Sequence, residues 1–231
     1  MRDTKAMLFD LDETLLDRTQ AVEQLFLMIL EKCYGDVKQS VRTDMLKTFK
    51  AYDTKSYGHN DKTTVLESFF DEFPPKYRLP RYAIQDFWNY NFPHCFIRDQ
   101  KTINIVNKIK ERYQVAIITN GSTQRQKAKI MNTELNSCFN LIIISEEVGL
   151  RKPDKRIFEL ALTRLSVQPE NALFVGDDLE KDIGGCQNAG MKGIWFNPHK
   201  IKNETDIKPD AEIHSFDGLL SYLTQLPLYE S

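Results

Sequence analysis

The stretch Ala6-Met7-Leu8-Phe9-Asp10-Leu11-Asp12-Glu13-Thr14-Leu15 decides how this chain reads. A short apolar run of strand character stops at two carboxylates spaced i, i+2, with a hydroxyl close behind. Alternate residues on an extended strand point the same way, so Asp10 and Asp12 start out on a common face. Like charges that close raise one another's pKa unless a cation or a shared proton relieves them. A buried structural acid pair is therefore costly, and a metal-assisted site fits better. The plain alternative is a strand running into a solvated acidic turn.

A second stretch repeats the design. Asn171-Ala172-Leu173-Phe174-Val175-Gly176-Asp177-Asp178-Leu179-Glu180-Lys181-Asp182 is an apolar strand, a glycine that permits close approach, then acids opening a helix. Between the two acid groups lie Val115-Ala116-Ile117-Ile118-Thr119-Asn120-Gly121 and Gly149-Leu150-Arg151-Lys152-Pro153-Asp154. The first is a strand ending in a hydroxyl and a glycine; the second is a loop lysine before a helix. Alone, Thr-Asn-Gly reads as a turn and Lys-Pro-Asp as a helix start with Pro at the first position. Their order between two acid groups lifts both above that background.

Strand-like runs at about 6–10, 114–119, 141–145, 172–175 and 192–196 alternate with helical stretches from residue 100 onward. That rhythm predicts an α/β fold, a doubly wound parallel sheet flanked by helices. Residues 17 to about 95 interrupt it with helical periodicity only. Val22, Leu25, Phe26, Ile29 and Cys33 share one stripe; Val41, Met45, Leu46 and Phe49 form another, and Val65, Leu66, Phe69 and Phe70 a third. Tyr82 to Tyr90 reads as a further helix. A polar connection from Pro198 to Pro209 precedes Ala211-Glu212-Ile213 and a closing helix, Phe216–Leu226.

Acid pair, strand-end Thr, loop Lys and acidic strand end, in that order, resemble the four motifs of the haloacid dehalogenase superfamily of phosphohydrolases. Lys152-Pro153-Asp154 followed by Ile157-Phe158 extends the likeness, as does Asn188-Ala189-Gly190-Met191. The resemblance implies a Rossmann-like catalytic core, residues 1–16 and 96–231, with an inserted all-helical cap over 17–95. Glu13 departs from it, standing where the commonest form of the first motif has glycine; it sits on a turn and is expected to point to solvent. The superfamily's strand order sets strand one beside strand four, which would bring Asp10 and Asp177 face to face at the point where strand order reverses.

The resemblance further implies a Mg²⁺-dependent phosphatase acting on small phosphomonoesters of the nucleotide or sugar phosphate class. Asp10 would be the nucleophile, passing through an aspartyl-phosphate, and Asp12 the general acid and base. The expected metal set is Asp10, Asp12 through its main-chain carbonyl, Asp177 and Asp182, hard oxygen donors that suit Mg²⁺. Thr119, Asn120, Gly121 and Lys152 would hold the phosphate, aided by the helix opening at Ser122. Asp178 is either a second layer around the metal or a helix-start charge. Arg18, Tyr57, His59 and His94 are candidates for the cap's substrate face. A phosphoglucomutase-like isomerase and a phospho-accepting switch protein are the alternatives; a dehalogenase proper would not need Asp12 or the metal-binding acids.

Composition narrows the field. With 231 residues, 41% hydrophobic, the chain can bury one sizeable core and a smaller accessory unit. A formal net charge of −2 with interspersed charges argues against nucleic-acid binding. Cys33, Cys95, Cys138 and Cys186 are far apart and form no CxxC pair, so reduced buried thiols are expected rather than zinc or disulfides. No GxGxxG follows the first strand, which disfavours a dinucleotide site. Leu25–Leu30 is too short for a membrane span, and a cytoplasmic protein, monomer or homodimer, is expected to meet a small-molecule phosphate ester.

Overall fold

The structure, a computed structural model, describes residues 4–224. Six parallel strands form one sheet: β1 Ala6–Phe9, β2 Gln114–Thr119, β3 Leu141–Ile144, β4 Ala172–Gly176, β5 Lys192–Phe196 and β6 Ala211–Ile213. Their order is β3-β2-β1-β4-β5-β6, so the chain winds outward in both directions from β1 and β4. The expected doubly wound parallel sheet is what forms. Register sets Phe9 beside Ile117 on one side and Val175 on the other. Asp10 therefore leaves the sheet at its central reversal, where the Asp10 amide still donates to the Val175 carbonyl at 2.9 Å.

Central parallel strands read as continuous apolar runs because both faces are covered. All four residues of β1 have no exposed surface. Ala6 and Leu8 pack with Ile157, Phe158, Ala161 and Leu162 of the helix α8, Lys155–Leu165, and Phe158 meets Phe174 edge-on at 5.2 Å. On the other face Phe9 meets Phe139 edge-on at 6.0 Å and stacks on Phe216 at 6.3 Å. Each buried aromatic contributes about 1.5–3 kcal/mol of apolar transfer. Phe216 opens the last helix, which is described as far as Thr224; the expected end at Leu226 lies outside the described residues.

The described chain divides into two compact units. The sheet unit takes the residues up to Leu16, Arg98–Thr123, and those from Thr133 on. The helical unit takes Asp17–Ile97 and Gln124–Asn132. Its helices are α1 Arg18–Cys33, α2 Gln39–Lys55, α3 Thr63–Glu72 and α4 Arg81–Asn91, joined by most of α6, Thr123–Asn132. Asp17 starts α1 by accepting from the Gln20 amide at 2.7 Å. Phe26, Phe49, Phe69, Phe70 and Trp88 fill the centre of this unit, with Phe49 and Phe69 centroids 5.4 Å apart. Arg125 ties α6 in, donating to the Asn60 carbonyl at 2.7 Å and to Asn89 Oδ1 at 2.9 Å.

The predicted apolar stripes are buried except in α2, where Leu46 is half-buried and Val41 departs fully. Val41 is exposed, because it falls in the first turn of α2, ahead of the point where Met45 and Phe49 reach the aromatic centre. Among the described residues no helix is long and apolar enough to cross a membrane.

Candidate active site

Three carboxylates converge where the sheet reverses. Asp10 follows β1, Asp177 follows β4, and Asp182 lies on a π turn, Leu179–Gly184; one oxygen from each falls within 4.8 Å of the others. Lys152 Nζ joins them at 2.5 Å from Asp10 Oδ1 and 2.6 Å from Asp182 Oδ1. Lys152 is 3% exposed, and its ammonium lies 5.3 Å from the centre of the Phe174 ring. One lysine among three acids leaves surplus negative charge in a buried place. Burial is the largest influence and pushes the Asp10 and Asp177 carboxyls up; Lys152 opposes it at Asp10, and the Asp10 charge adds to it at Asp177. Burial works against the Lys152 charge too, but Asp10 and Asp182 outweigh it and hold the ammonium above the usual lysine range.

The backbone around these groups is built for close approach. A Cβ on Gly176 would stand 2.4 Å from Asp182 Oδ2, so only glycine lets the Asp182 carboxylate lie against β4. The Asp178 amide donates to that same oxygen at 3.1 Å. Asp178 itself caps the π turn, accepting from the Glu180 and Lys181 amides at 3.0 and 2.8 Å. Burial tends to raise its carboxyl, but the hydrogen bonds and charge of Lys181 hold it below the ordinary value. Of its two sequence readings, the helix-start role is the one the geometry displays.

Asp12 lies in the tight turn after β1, where the Leu15 and Leu16 amides both return to the Leu11 carbonyl at 3.0 and 2.9 Å. It is buried, and its charge is among the influences raising Asp10. Its carboxylate is not part of the three-acid cluster. Glu13 adopts φ +61°, the left-handed region that favours glycine, at the position where glycine is commonest in the motif. It is half-buried rather than pointing freely to solvent.

Thr119 ends β2 with 1% exposure, paired in register with Ile144. Asn120 turns its side chain onto Lys152, with Nδ2 donating to the Lys152 carbonyl and Oδ1 accepting from the Lys152 amide, both at 2.9 Å. The Gly121 amide, at φ +151°, donates to Ser145 Oγ at 3.0 Å. The expected anion-friendly helix start is changed: α6 begins at Thr123, whose amide donates to Glu146 Oε2 at 2.8 Å. A carboxylate already meets that positive end. Lys152-Pro153 is a cis peptide, and Asp154, not Pro153, starts α8 by accepting from the Arg156 amide at 3.0 Å.

Four residues at the site escaped the sequence reading. Thr14 Oγ1 donates to Asp177 Oδ1 at 3.2 Å, and Trp195 Nε1 donates to the Asp177 carbonyl at 2.8 Å. Ser145 and Glu146 hold the Gly121–Thr123 backbone. Thr14 had a signal, since it sits within the acid motif itself. Trp195, Ser145 and Glu146 had none until strand adjacency was known.

In the helical unit, Arg18 is buried, paired with Asp53 at 2.6 Å and stacked 4.8 Å from the Tyr57 ring. Lys62 shares Asp53 at 3.4 Å and donates to the Ser56 carbonyl at 2.9 Å. His94 Nδ1 lies 2.7 Å from the Tyr90 carbonyl.

The acid cluster sits where ligands gather in a doubly wound sheet, and comparison with known proteins shows the chain to be an enzyme, a hydrolase. It belongs to the haloacid dehalogenase-like hydrolase family, whose model matches residues 7–196. It is 32% identical over 200 residues to glyceraldehyde 3-phosphate phosphatase of Pyrococcus furiosus, covering 85% of this chain and 82% of that protein. It is 28% identical to pyrimidine 5'-nucleotidase PynA of Streptococcus pneumoniae, covering 95% of this chain and 94% of the relative. The HAD-hydrolase YfnB of Bacillus subtilis, solved bound to magnesium, superposes with a TM-score of 0.78 at 22% identity, covering 96% of this chain and 99% of that one. At that identity the superposition speaks to the fold.

Proposed function

We propose that this protein is a Mg²⁺-dependent phosphatase of small phosphomonoesters, of the sugar phosphate or nucleotide class. The observation that carries the reading is the meeting of Asp10, Asp177, Asp182 and Lys152 at the sheet reversal. The donors are all hard carboxylate oxygens, the set Mg²⁺ prefers, and their negative charge exceeds what Lys152 neutralises. Asp10, the Asp12 carbonyl and Asp177 would hold the ion, with Asp182 supporting it. When bound, the ion neutralises phosphate charge and aligns the ester.

The remaining chemistry belongs to the chain. Asp10 Oδ attacks phosphorus in line, the ester oxygen departs, and an aspartyl-phosphate results. Asp12 gives its proton to the departing alcohol, then takes one from the water that opens the acyl-phosphate. Lys152 and the Thr119 hydroxyl stabilise charge on the equatorial oxygens, a job that depends on fixed placement more than on bond-making. Two relatives that cover most of the chain are named for sugar phosphate and nucleotide hydrolysis, which supports that substrate range. The helical insert, residues 17–95, is proposed as a cap selecting among esters, since the chain enters it just after the Asp10–Thr14 segment and leaves it before Thr119.

Phosphate release across a panel of metabolite esters tests the reading. Turnover of sugar phosphates or nucleotides with added Mg²⁺ is expected. Absence of release from every ester, with folded protein and Mg²⁺ supplied, would overturn it.

A further inference from the structure

We propose that Asn120 acts as a positioning residue for Lys152 rather than through side-chain contact with phosphate. The inference rests on Lys152 being a phosphate-binding group, as proposed above. Both ends of the Asn120 amide are engaged: Nδ2 with the Lys152 carbonyl and Oδ1 with the Lys152 amide, each at 2.9 Å. This reciprocal pair imitates one rung of a strand ladder, made by a side chain where no strand runs.

Its value follows from where the two residues sit. Asn120 comes directly after Thr119, whose place is set by pairing with Ile144, so its backbone is anchored to the sheet. Lys152 lies in the connection between the short helix α7, Ser145–Val148, and α8, after Gly149 at φ +68°. A lysine carries several rotatable bonds, and its tip is located only as well as its backbone. Two hydrogen bonds to that backbone, plus the Phe174 ring beside the ammonium, leave Nζ aimed at Asp10 and Asp182. An amide supplies the required donor and acceptor together. A carboxylate of the same shape supplies only acceptors and would face the Lys152 carbonyl.

A double-mutant cycle tests this, read as the affinity of the Mg²⁺-loaded protein for inorganic phosphate by phosphorus NMR. Asn120→Ala is expected to weaken phosphate about tenfold in the native background, the size of one or two net hydrogen bonds. In a Lys152→Ala background the same change should alter affinity less than about twofold, because its route of action is gone. Asn120→Asp should behave like Asn120→Ala, and it runs the cycle if the alanine variant does not fold. An equal loss in both backgrounds, or no loss in the native one, would overturn the inference while leaving Lys152 in its role. If Lys152→Ala itself leaves phosphate affinity unchanged, the reading of Lys152 falls and this inference falls with it.

Discussion

Trp195 holds the main chain of Asp177: the indole Nε1 donates to the Asp177 carbonyl across 2.8 Å, from a side chain only 2% exposed. Strand register puts Trp195 beside Gly176, one residue short of the acid it restrains. Together with the Thr14 hydroxyl on Oδ1, this grips Asp177 at both its backbone and its carboxylate. Trp195→Phe keeps most of the packing and removes the donor. Outer partners of metal ligands are commonly worth 10–100-fold in metal affinity, and a loss of about tenfold in Mg²⁺ affinity is expected here. Isothermal titration of the variant with Mg²⁺ reads it, and an unchanged affinity would show that the indole only fills space.

Gly176→Ala should injure the site more than the fold. The new methyl would lie 2.4 Å from Asp182 Oδ2 and 2.5 Å from its Cβ, so the acid must move. Overpacking of this kind costs about 1–3 kcal/mol in stability. Displacing Asp182 also breaks its contact with Lys152, and kcat should fall by about 100-fold, some 2.7 kcal/mol of barrier. Thermal melting and steady-state kinetics on the same preparation separate the two effects. Full activity would mean that Asp182 has no fixed part in turnover.

On the proposed mechanism, Asp10→Asn removes the nucleophile and a metal ligand in one change. An amide cannot form the acyl-phosphate, and turnover should become undetectable while the fold persists. Retention of more than about a tenth of kcat, a barrier change of only ~1.4 kcal/mol, would contradict the assignment. Chelation of wild-type protein should likewise stop phosphate release, and Mg²⁺ should restore it. Ca²⁺ should restore little, because its larger and looser coordination misaligns attack. Undiminished release in excess chelator would remove the metal from the mechanism.

The Arg18–Asp53–Lys62 cluster predicts the pH behaviour of stability. Burial tends to raise the Asp53 carboxyl, but Arg18, then Lys62, holds it below the ordinary 3.8. A depressed carboxyl adds stability that is complete above its unfolded value and lost as pH falls through the folded one, so the loss begins near 3.8 and deepens below it. Lys62 has the same sense in a higher window: burial lowers it from 10.5 to about 8, so stability again rises with pH across that interval. Asp53→Asn should cost about 3–5 kcal/mol at neutral pH, since it leaves Arg18 and Lys62 without their shared carboxylate. Urea unfolding between pH 3 and 10 measures both limbs; an Asp53→Asn variant with the wild-type acid limb would exclude this cluster as its source.

The sheet was readable because central parallel strands must be apolar along their whole length, and each here ends in a chemically distinctive residue. Asp10, Thr119, Asp177 and Lys152 stand out from sequence order, and the structure gathers Asp10, Asp177, Asp182 and Lys152 within hydrogen-bonding and metal-ligating range. What joins these residues to one another was not readable. The Trp195 bond depends on β4 and β5 being neighbours, and the Ser145 and Glu146 bonds depend on β2 lying beside β3. The helix opening beyond Gly121 carried the general signature of an anion site, but a carboxylate brought from β3's end meets the Thr123 amide. Helix-dipole logic is local, and a partner carried on the helix that follows another strand can take one of its first amides. Val41 shows the same limit in the helical unit, since periodicity names a face but not how far along the helix its neighbour extends.

The reciprocal bond between Asn120 and the Lys152 backbone also restricts how this gene can change length. Between Ile144, the last residue paired on β3, and Lys152 the chain has a set number of residues to form one short helix and one left-handed turn at Gly149. Inserting or deleting a single codon there would slide the lysine off its anchor and swap its side chain for a neighbour's. The connection after β5 obeys a different rule: Asn197 and Asn203 close it by their own local hydrogen bonds, to Ile201 and Ile207, and no acid-cluster residue lies within it. Length variation among descendants of this sequence should accumulate in the second connection and be purged from the first.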